Sequence, residues 1–145
     1  MKYSNEIIID KNVEQVVSLF DSTDNMYKWM RGLQSVEHIS GTPGEVGAKS
    51  KLIFKINKRE MEMIETITSK NLPHEFSGTY EMKGTLNKVS NHFVPINESQ
   101  TKYITENEFE FNGLMMKLFS KLMPSAFKKQ TYQFMQDFKA FAEKS

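Results

Sequence analysis

The spacing of hydrophobic residues changes period once along the chain. Up to about residue 111, apolar positions mostly alternate or cluster in short runs, as strands require. After that they recur at helical spacing. Seven segments read as strands: Tyr3–Asp10, Leu33–Ser40, Lys49–Asn57, Arg59–Ser69, Glu75–Lys83, Leu86–Val94 and Gln100–Phe111. Leu52, Phe54 and Ile56 face one way in the third of these, opposite Lys49, Lys51 and Lys55, the pattern of a half-buried strand. In the last, Tyr103, Thr105, Asn107, Phe109 and Phe111 share a face, with Glu106, Glu108 and Glu110 on the other. Two short helices interrupt the series. Val13, Val16, Val17 and Phe20 place one from about Asn12 to Asp21, with Asn12 as a candidate cap. The other runs from Thr23 or Asp24 to Met30, with Asp24 as its cap and Gly32 as its stop. Gly41-Thr42-Pro43-Gly44, Asn57-Lys58 and Pro95 to Gln100 read as turns or loops.

Gly113 to Lys144 is helical but not uniform. Met115, Leu118, Phe119 and Leu122 form one apolar stripe, and Phe127, Thr131, Phe134, Phe138 and Phe141 another. At about 100° per residue the two stripes differ by roughly a third of a turn. The misfit falls at Met123-Pro124, where proline lacks a donor and crowds the preceding turn. The pattern predicts a break or sharp kink near Met123. A short piece, Leu114 to Leu122, is then expected to cover one mouth of the structure, and a longer helix, Ser125 to about Glu143, to lie inside it. Consecutive strands joined by short turns and followed by one long helix predict an α+β fold: a curved antiparallel sheet of about seven strands around a Pro-kinked C-terminal helix.

Composition narrows the chemistry. The chain has 145 residues, which suits a single domain over 1–145 with a core that needs no staples. It contains no cysteine, which excludes disulfides and thiolate metal sites. Lys plus Arg is 19 and Asp plus Glu is 18, so charge gives no pull towards nucleic acid or anionic membrane. No apolar run approaches the ~20 residues of a membrane span, and the N-terminus lacks the pattern of a signal peptide. The expectation is a cytoplasmic protein without stable membrane insertion, a monomer or weak dimer. His38, His74 and His92 lie on separate segments with no ligand spacing, so neither metal nor cofactor is expected. Ten Met and eleven Phe stand out. Met fits itself to irregular apolar partners, which suits either a Met-rich core or an adaptable cavity.

The order strand, two helices, six strands, long helix resembles the START/Bet v 1-like superfamily, also described as SRPBCC or polyketide cyclase/dehydrase-like. Local features resemble it too: Trp29 ahead of Gly32-Leu33, the Gly41-x-x-Gly44-x-x-Gly47 hairpin region, Glu65-Thr66-Ile67 in the fourth strand, and the closing segment Phe134 to Glu143. The resemblance implies a helix-grip fold with a deep apolar cavity between the sheet and the last helix. Members bind lipids, sterols, polyketides, quinones or similar molecules. Some are cyclases or dehydratases, and others resemble the Hsp90 ATPase activator domain and act on a protein. A shared fold does not choose among these.

Strand parity and the family layout together nominate a ligand-binding wall of Trp29, Met30, Leu33, Phe54, Met63, Tyr80, Asn91, Phe93, Tyr103, Phe109, Leu118, Phe119, Leu122 and Met123. Tyr80, Tyr103 and Asn91 are its polar members. Each either hydrogen-bonds a ligand or satisfies a buried neighbour. Glu65 shares parity with Met61, Met63 and Ile67. Turned inward, it is a candidate acid/base for a cyclase or dehydratase; turned outward, it is a solvated strand residue. The leading expectation is binding of a small hydrophobic molecule.

Overall fold

A computed structural model describes residues 1–114, 117 and 124–145. Seven antiparallel strands form one sheet in the order β1-β7-β6-β5-β4-β3-β2. They are β1 (Lys2–Ile9), β2 (Leu33–Ser40), β3 (Lys49–Ile56), β4 (Arg59–Asn71), β5 (Glu75–Met82), β6 (Thr85–Asn97) and β7 (Gln100–Phe111). Helices α1 (Val13–Phe20) and α2 (Thr23–Trp29) sit between β1 and β2, and the final helix α3 is Pro124–Lys144. The seven-stranded curved sheet around a C-terminal helix is the α+β helix-grip arrangement. The expected break at Met123 and, apart from Leu114 and Lys117, the short helical piece ahead of it lie outside the described residues.

Local chemistry accounts for the element ends. Asn12 caps α1 through Oδ1, which accepts from the Gln15 amide at 2.8 Å. The cap of α2 is Ser22, not Asp24: Ser22 Oγ accepts from the Asn25 amide at 3.2 Å. Asp24 instead lies in the first turn, where its charge favours the helix dipole. Asn57 and Lys58 take φ of 51° and 66°, the left-handed pair of a two-residue hairpin whose twist matches the strands. β6 runs three residues beyond the expected Val94, through Pro95. Past Phe93, whose amide donates to the His74 carbonyl at 3.0 Å, it pairs with β7 alone, so a proline there removes no bond on the other side.

Curvature comes from register shifts in β2–β3, β4–β5 and β6–β7. At Gly78 in β5, a Cβ would stand 2.9 Å from the Thr66 carbonyl oxygen, so the two backbones approach closely only because no side chain is present. The concave face holds α3, which runs against β1. The Tyr3 hydroxyl lies 2.6 Å from Thr131 Oγ1, Asn5 Nδ2 donates to the Lys128 carbonyl at 3.2 Å, and Lys139 Nζ donates to the Ile8 carbonyl at 2.6 Å. Arg31, after α2, grips Asp137 of α3 with two bonds of 3.1 and 2.9 Å. The carboxylates on the outer face of β7 meet lysines, as in the Lys88–Glu110 pair at 3.1 Å.

The far half of α3 is packed solid. Phe138 is fully buried, with ring centroids 5.0 Å from Trp29, 5.4 Å from Phe20 and 5.9 Å from Tyr103. Met135, Ala142, Ile9, Val16 and Phe93 complete this cluster. Rings at such separations add edge-on and offset attraction to the area they bury. Phe138→Ala is expected to destabilise the fold by about 3–5 kcal/mol, read as a lowered midpoint in urea denaturation with a retained slope.

Candidate functional site

The near half of α3 is tied to the edge of the sheet, where the Phe127 ring lies 5.2 Å from Phe109, but it leaves space over the middle strands. Between helix and sheet lies a cavity of about 330 Å³, within the range of small-molecule sites. Met30, Leu52, Phe54, Met61, Met63 and Met82 line one side, and Phe109, Phe127 and Phe134 another. The methionines suit a wall that has to fit an irregular guest. Phe20, Trp29 and Tyr103 lie between this cavity and the packed cluster.

The structure sorts the expected wall residues into three groups. Trp29, Met30, Phe54, Met63, Tyr80, Asn91, Tyr103 and Phe109 lie on the cavity wall. Leu33 and Phe93 do not. Leu33 packs with Leu52 and Phe54, and the Phe93 ring stacks on Tyr103 at 5.1 Å, so both fill core behind the wall. Leu118, Phe119, Leu122 and Met123 lie outside the described residues. The wall also holds residues the sequence reading passed over, among them Asn87, Val89, Thr105, Asn107, Gln130 and Thr131. Parity could have found the strand members, since Asn87 and Val89 alternate with Asn91, and Thr105 and Asn107 with Tyr103.

Polar groups on the wall are mostly satisfied by one another. The Tyr103 hydroxyl donates to Asn91 Oδ1 at 3.0 Å, and Asn91 Nδ2 donates to the Phe76 carbonyl at 3.2 Å. Burial raises the Tyr103 pKa, so it is a neutral donor. Two buried atoms of the wall, Asn87 Oδ1 and the indole nitrogen of Trp29, have no hydrogen-bond partner among the described residues. Each such group carries a desolvation cost that a ligand hydrogen bond would relieve.

A second cavity, about 430 Å³, lies between the α1–α2 corner, the β2–β3 loop and the sheet. Phe20, Trp29, Met30 and Tyr80 border both cavities. Glu65 faces this second chamber and is the direct cross-strand partner of Tyr80 on one side and Ser50 on the other. The inward orientation of Glu65 follows from its alternation with Ile67, which is buried. Burial raises the Glu65 carboxyl above the usual carboxylate range, offset in part by the hydrogen bond from Tyr80. Burial, and next the neighbouring Glu65 charge, push the Tyr80 hydroxyl well above its ordinary value. Registers extend the pair into a polar row across five strands: His38, Ser50, Glu65, Tyr80 and Asn87. Same-face neighbours on adjacent strands are in contact range. His38 Nε2 lies 2.8 Å from the Gly41 carbonyl oxygen. Among the described residues, no group of three or more His, Cys, Asp or Glu side chains could hold a metal ion.

Solved structures share this architecture. The Zhui aromatase/cyclase from Streptomyces sp. R1128 superposes with a TM-score of 0.81 at 7% identity, covering 99% of this chain and 93% of its own. A conserved protein from Geobacillus kaustophilus gives 0.79 at 18% identity, with 100% and 97% covered. Norcoclaurine synthase from Thalictrum flavum, in complex with dopamine and hydroxybenzaldehyde, gives 0.74 at 12% identity, with 97% and 85% covered. The chain has the START/Bet v 1-like helix-grip fold. At these identities the likeness is one of fold. No protein-family model matches the sequence, and no curated protein matches it by sequence.

Within this helix-grip chain the Glu65 shift has a defined consequence for stability. A carboxyl whose folded pKa is raised binds its proton more tightly in the folded state. Its contribution is therefore greatest at low pH and is lost as pH rises from the ordinary value of 4.5 through the raised folded value. Glu65→Gln removes this loss. The variant is expected to gain stability relative to the parent across that window and to hold a constant margin above it. Urea denaturation of both proteins from about pH 4 to about pH 8 reads the difference; a margin that does not change with pH is the contrary result.

Proposed function

We propose that this protein binds a small hydrophobic molecule (a lipid, polyketide, quinone or similar) in the cavity between the sheet and α3. The observation that carries the reading is the cavity itself: about 330 Å³, walled by methionine and aromatic side chains, with Asn87 Oδ1 and the Trp29 indole nitrogen left without partners. A solid core would have filled this space, because voids cost the contacts their lining forgoes. An apolar guest restores those contacts, and one or two hydrogen bonds orient it. We read residues 1–145 as one binding domain, cytoplasmic and acting as a monomer or weak dimer. No helix among the described residues is long and apolar enough to cross a membrane.

One observation supports a second reading, an enzyme of the cyclase or dehydratase kind. Glu65 and Tyr80 set an ionisable carboxyl of raised pKa and a phenol side by side in the second cavity, with Tyr80 also bordering the first, which is the equipment for moving a proton on a bound substrate. Product analysis after incubation with the ligand separates the two readings.

The test fills the cavity from within. Val89 lies on the wall between Gly78 and Asn107 in register. Val89→Trp should lower the affinity for anilinonaphthalene sulfonate by about tenfold or more, and should remove small molecules that co-purify from the native host, as seen by native mass spectrometry. Unchanged dye affinity in a folded Val89→Trp protein would sink the reading.

A further inference from the structure

The second chamber contains an imbalance of charge. Its charged and titratable groups are Asp21 from the end of α1, His38 on β2, Glu65 on β4, Lys70 near the end of β4, and Tyr80 on β5. Lys70 is already engaged: its ammonium pairs with Asp21 at 3.4 Å and donates to the Gly44 carbonyl at 2.7 Å. The His38 ring is held at the Gly41 carbonyl. Among the described residues no cation pairs with Glu65, whose neighbour is the Tyr80 hydroxyl. Glu65 is half-buried, and a carboxylate partly withdrawn from water without a counter-ion is disfavoured; two remedies exist: it takes up a proton, or a cation arrives.

The walls favour a cation of a particular kind. Phe20 stands at the centre of the aromatic lining, 6.1 Å from Trp29 and 6.0 Å from Phe76 by ring centroids, and Tyr80 completes the enclosure. Aromatic faces attract an organic ammonium through their quadrupoles, more strongly when water is excluded. They offer nothing comparable to an anion. Because Tyr80 and Trp29 border both cavities, a ligand anchored in the second chamber has an apolar space to extend into.

We propose that the chamber between the α1–α2 corner and the β2–β3 loop receives the ammonium end of an organic amine, with Glu65 as its counter-ion and the Phe20, Trp29, Phe76 and Tyr80 rings as its walls. The apolar body of the amine passes Tyr80 into the main cavity, so the inference rests on the ligand-binding reading above and names the class of ligand. A Glu65 carboxyl that is protonated before binding releases its proton when the ammonium enters, and affinity therefore falls as pH drops into the titration range of that carboxyl.

Three probes of one shape test it: phenethylamine, phenethyl alcohol and hydrocinnamate, titrated by calorimetry into the full chain, with the emission of Trp29, the chain's single tryptophan, as a second readout. At about pH 8, the amine should bind about tenfold more tightly than the alcohol, and hydrocinnamate should bind most weakly. Glu65→Gln should abolish the preference for the amine, and Glu65→Asp should keep its sign. Thermal unfolding of both variants establishes that they are folded. Equal binding of amine and alcohol, or a preference that survives Glu65→Gln, overturns the amine site and leaves the main cavity reading intact. Failure of all three probes while anilinonaphthalene sulfonate still binds has the same meaning. Failure of the dye as well overturns both.

Discussion

A straight helix laid in a strongly curved sheet can touch it closely over only part of its length, and the rest of this structure follows from that constraint. The C-terminal half of α3 meets the sheet, and Met135, Phe138 and Ala142 close it against Ile9, Val16, Trp29, Phe93 and Tyr103. The N-terminal half is tied to the sheet at β1 and Phe109, and Phe127, Gln130, Thr131 and Phe134 line the main cavity beside those ties. The two halves depend on each other. The aromatic cluster supplies stability that an open cavity cannot, and polar ties to β1 hold the helix at the height that keeps the cavity open. Curvature therefore shapes the cavities, and the register shifts and the side-chain-free position at Gly78 help to set them although they do not line the main one.

Polar groups on the concave face divide by whether they have partners. Asn91 and Tyr103 answer each other, and Asn91 also reaches the Phe76 carbonyl. They stiffen the closed end of the cavity. Asn87, Trp29 and Glu65 are different in kind, since two present unpartnered atoms and the third is a carboxyl with no cation. Interiors rarely keep such groups without reason: the two unpartnered atoms bear the cost of leaving water, and the half-buried Glu65 carboxyl bears part of it. The cost here falls along one row of the sheet, where Glu65, Tyr80 and Asn87 are successive cross-strand neighbours. That row underlies both chambers, and chemistry on a bound molecule would have to draw on it.

Much of this architecture could be read from periodicity alone. Alternation in β3 and β7, the helical recurrence in α1 and the turn at Asn57-Lys58 are local facts, set by how a backbone exposes side chains and by which residues tolerate a left-handed turn. The same parity placed Phe54, Met63, Tyr80 and Phe109 on the inner face, where they line the cavity. Parity also carried Phe93 and Leu33 inward, but it cannot tell a wall from the core behind it. That distinction depends on how far each strand lies from α3, which no single strand encodes. Glu65 shows the same limit: its face was readable, and its setting was not.

By itself the sequence determined the order of elements, the inner and outer face of each strand and the amphipathic character of the last helix, because those follow from contacts within a few residues. Only the tertiary structure decided where the core ends and the cavities begin. It paired Asn91 with Tyr103, left Asn87 and Trp29 unsatisfied, and brought Glu65 beside Tyr80 beneath the corner of α1 and α2. Those outcomes join residues separated along the chain, and they are fixed by sheet curvature and helix height acting over the whole fold.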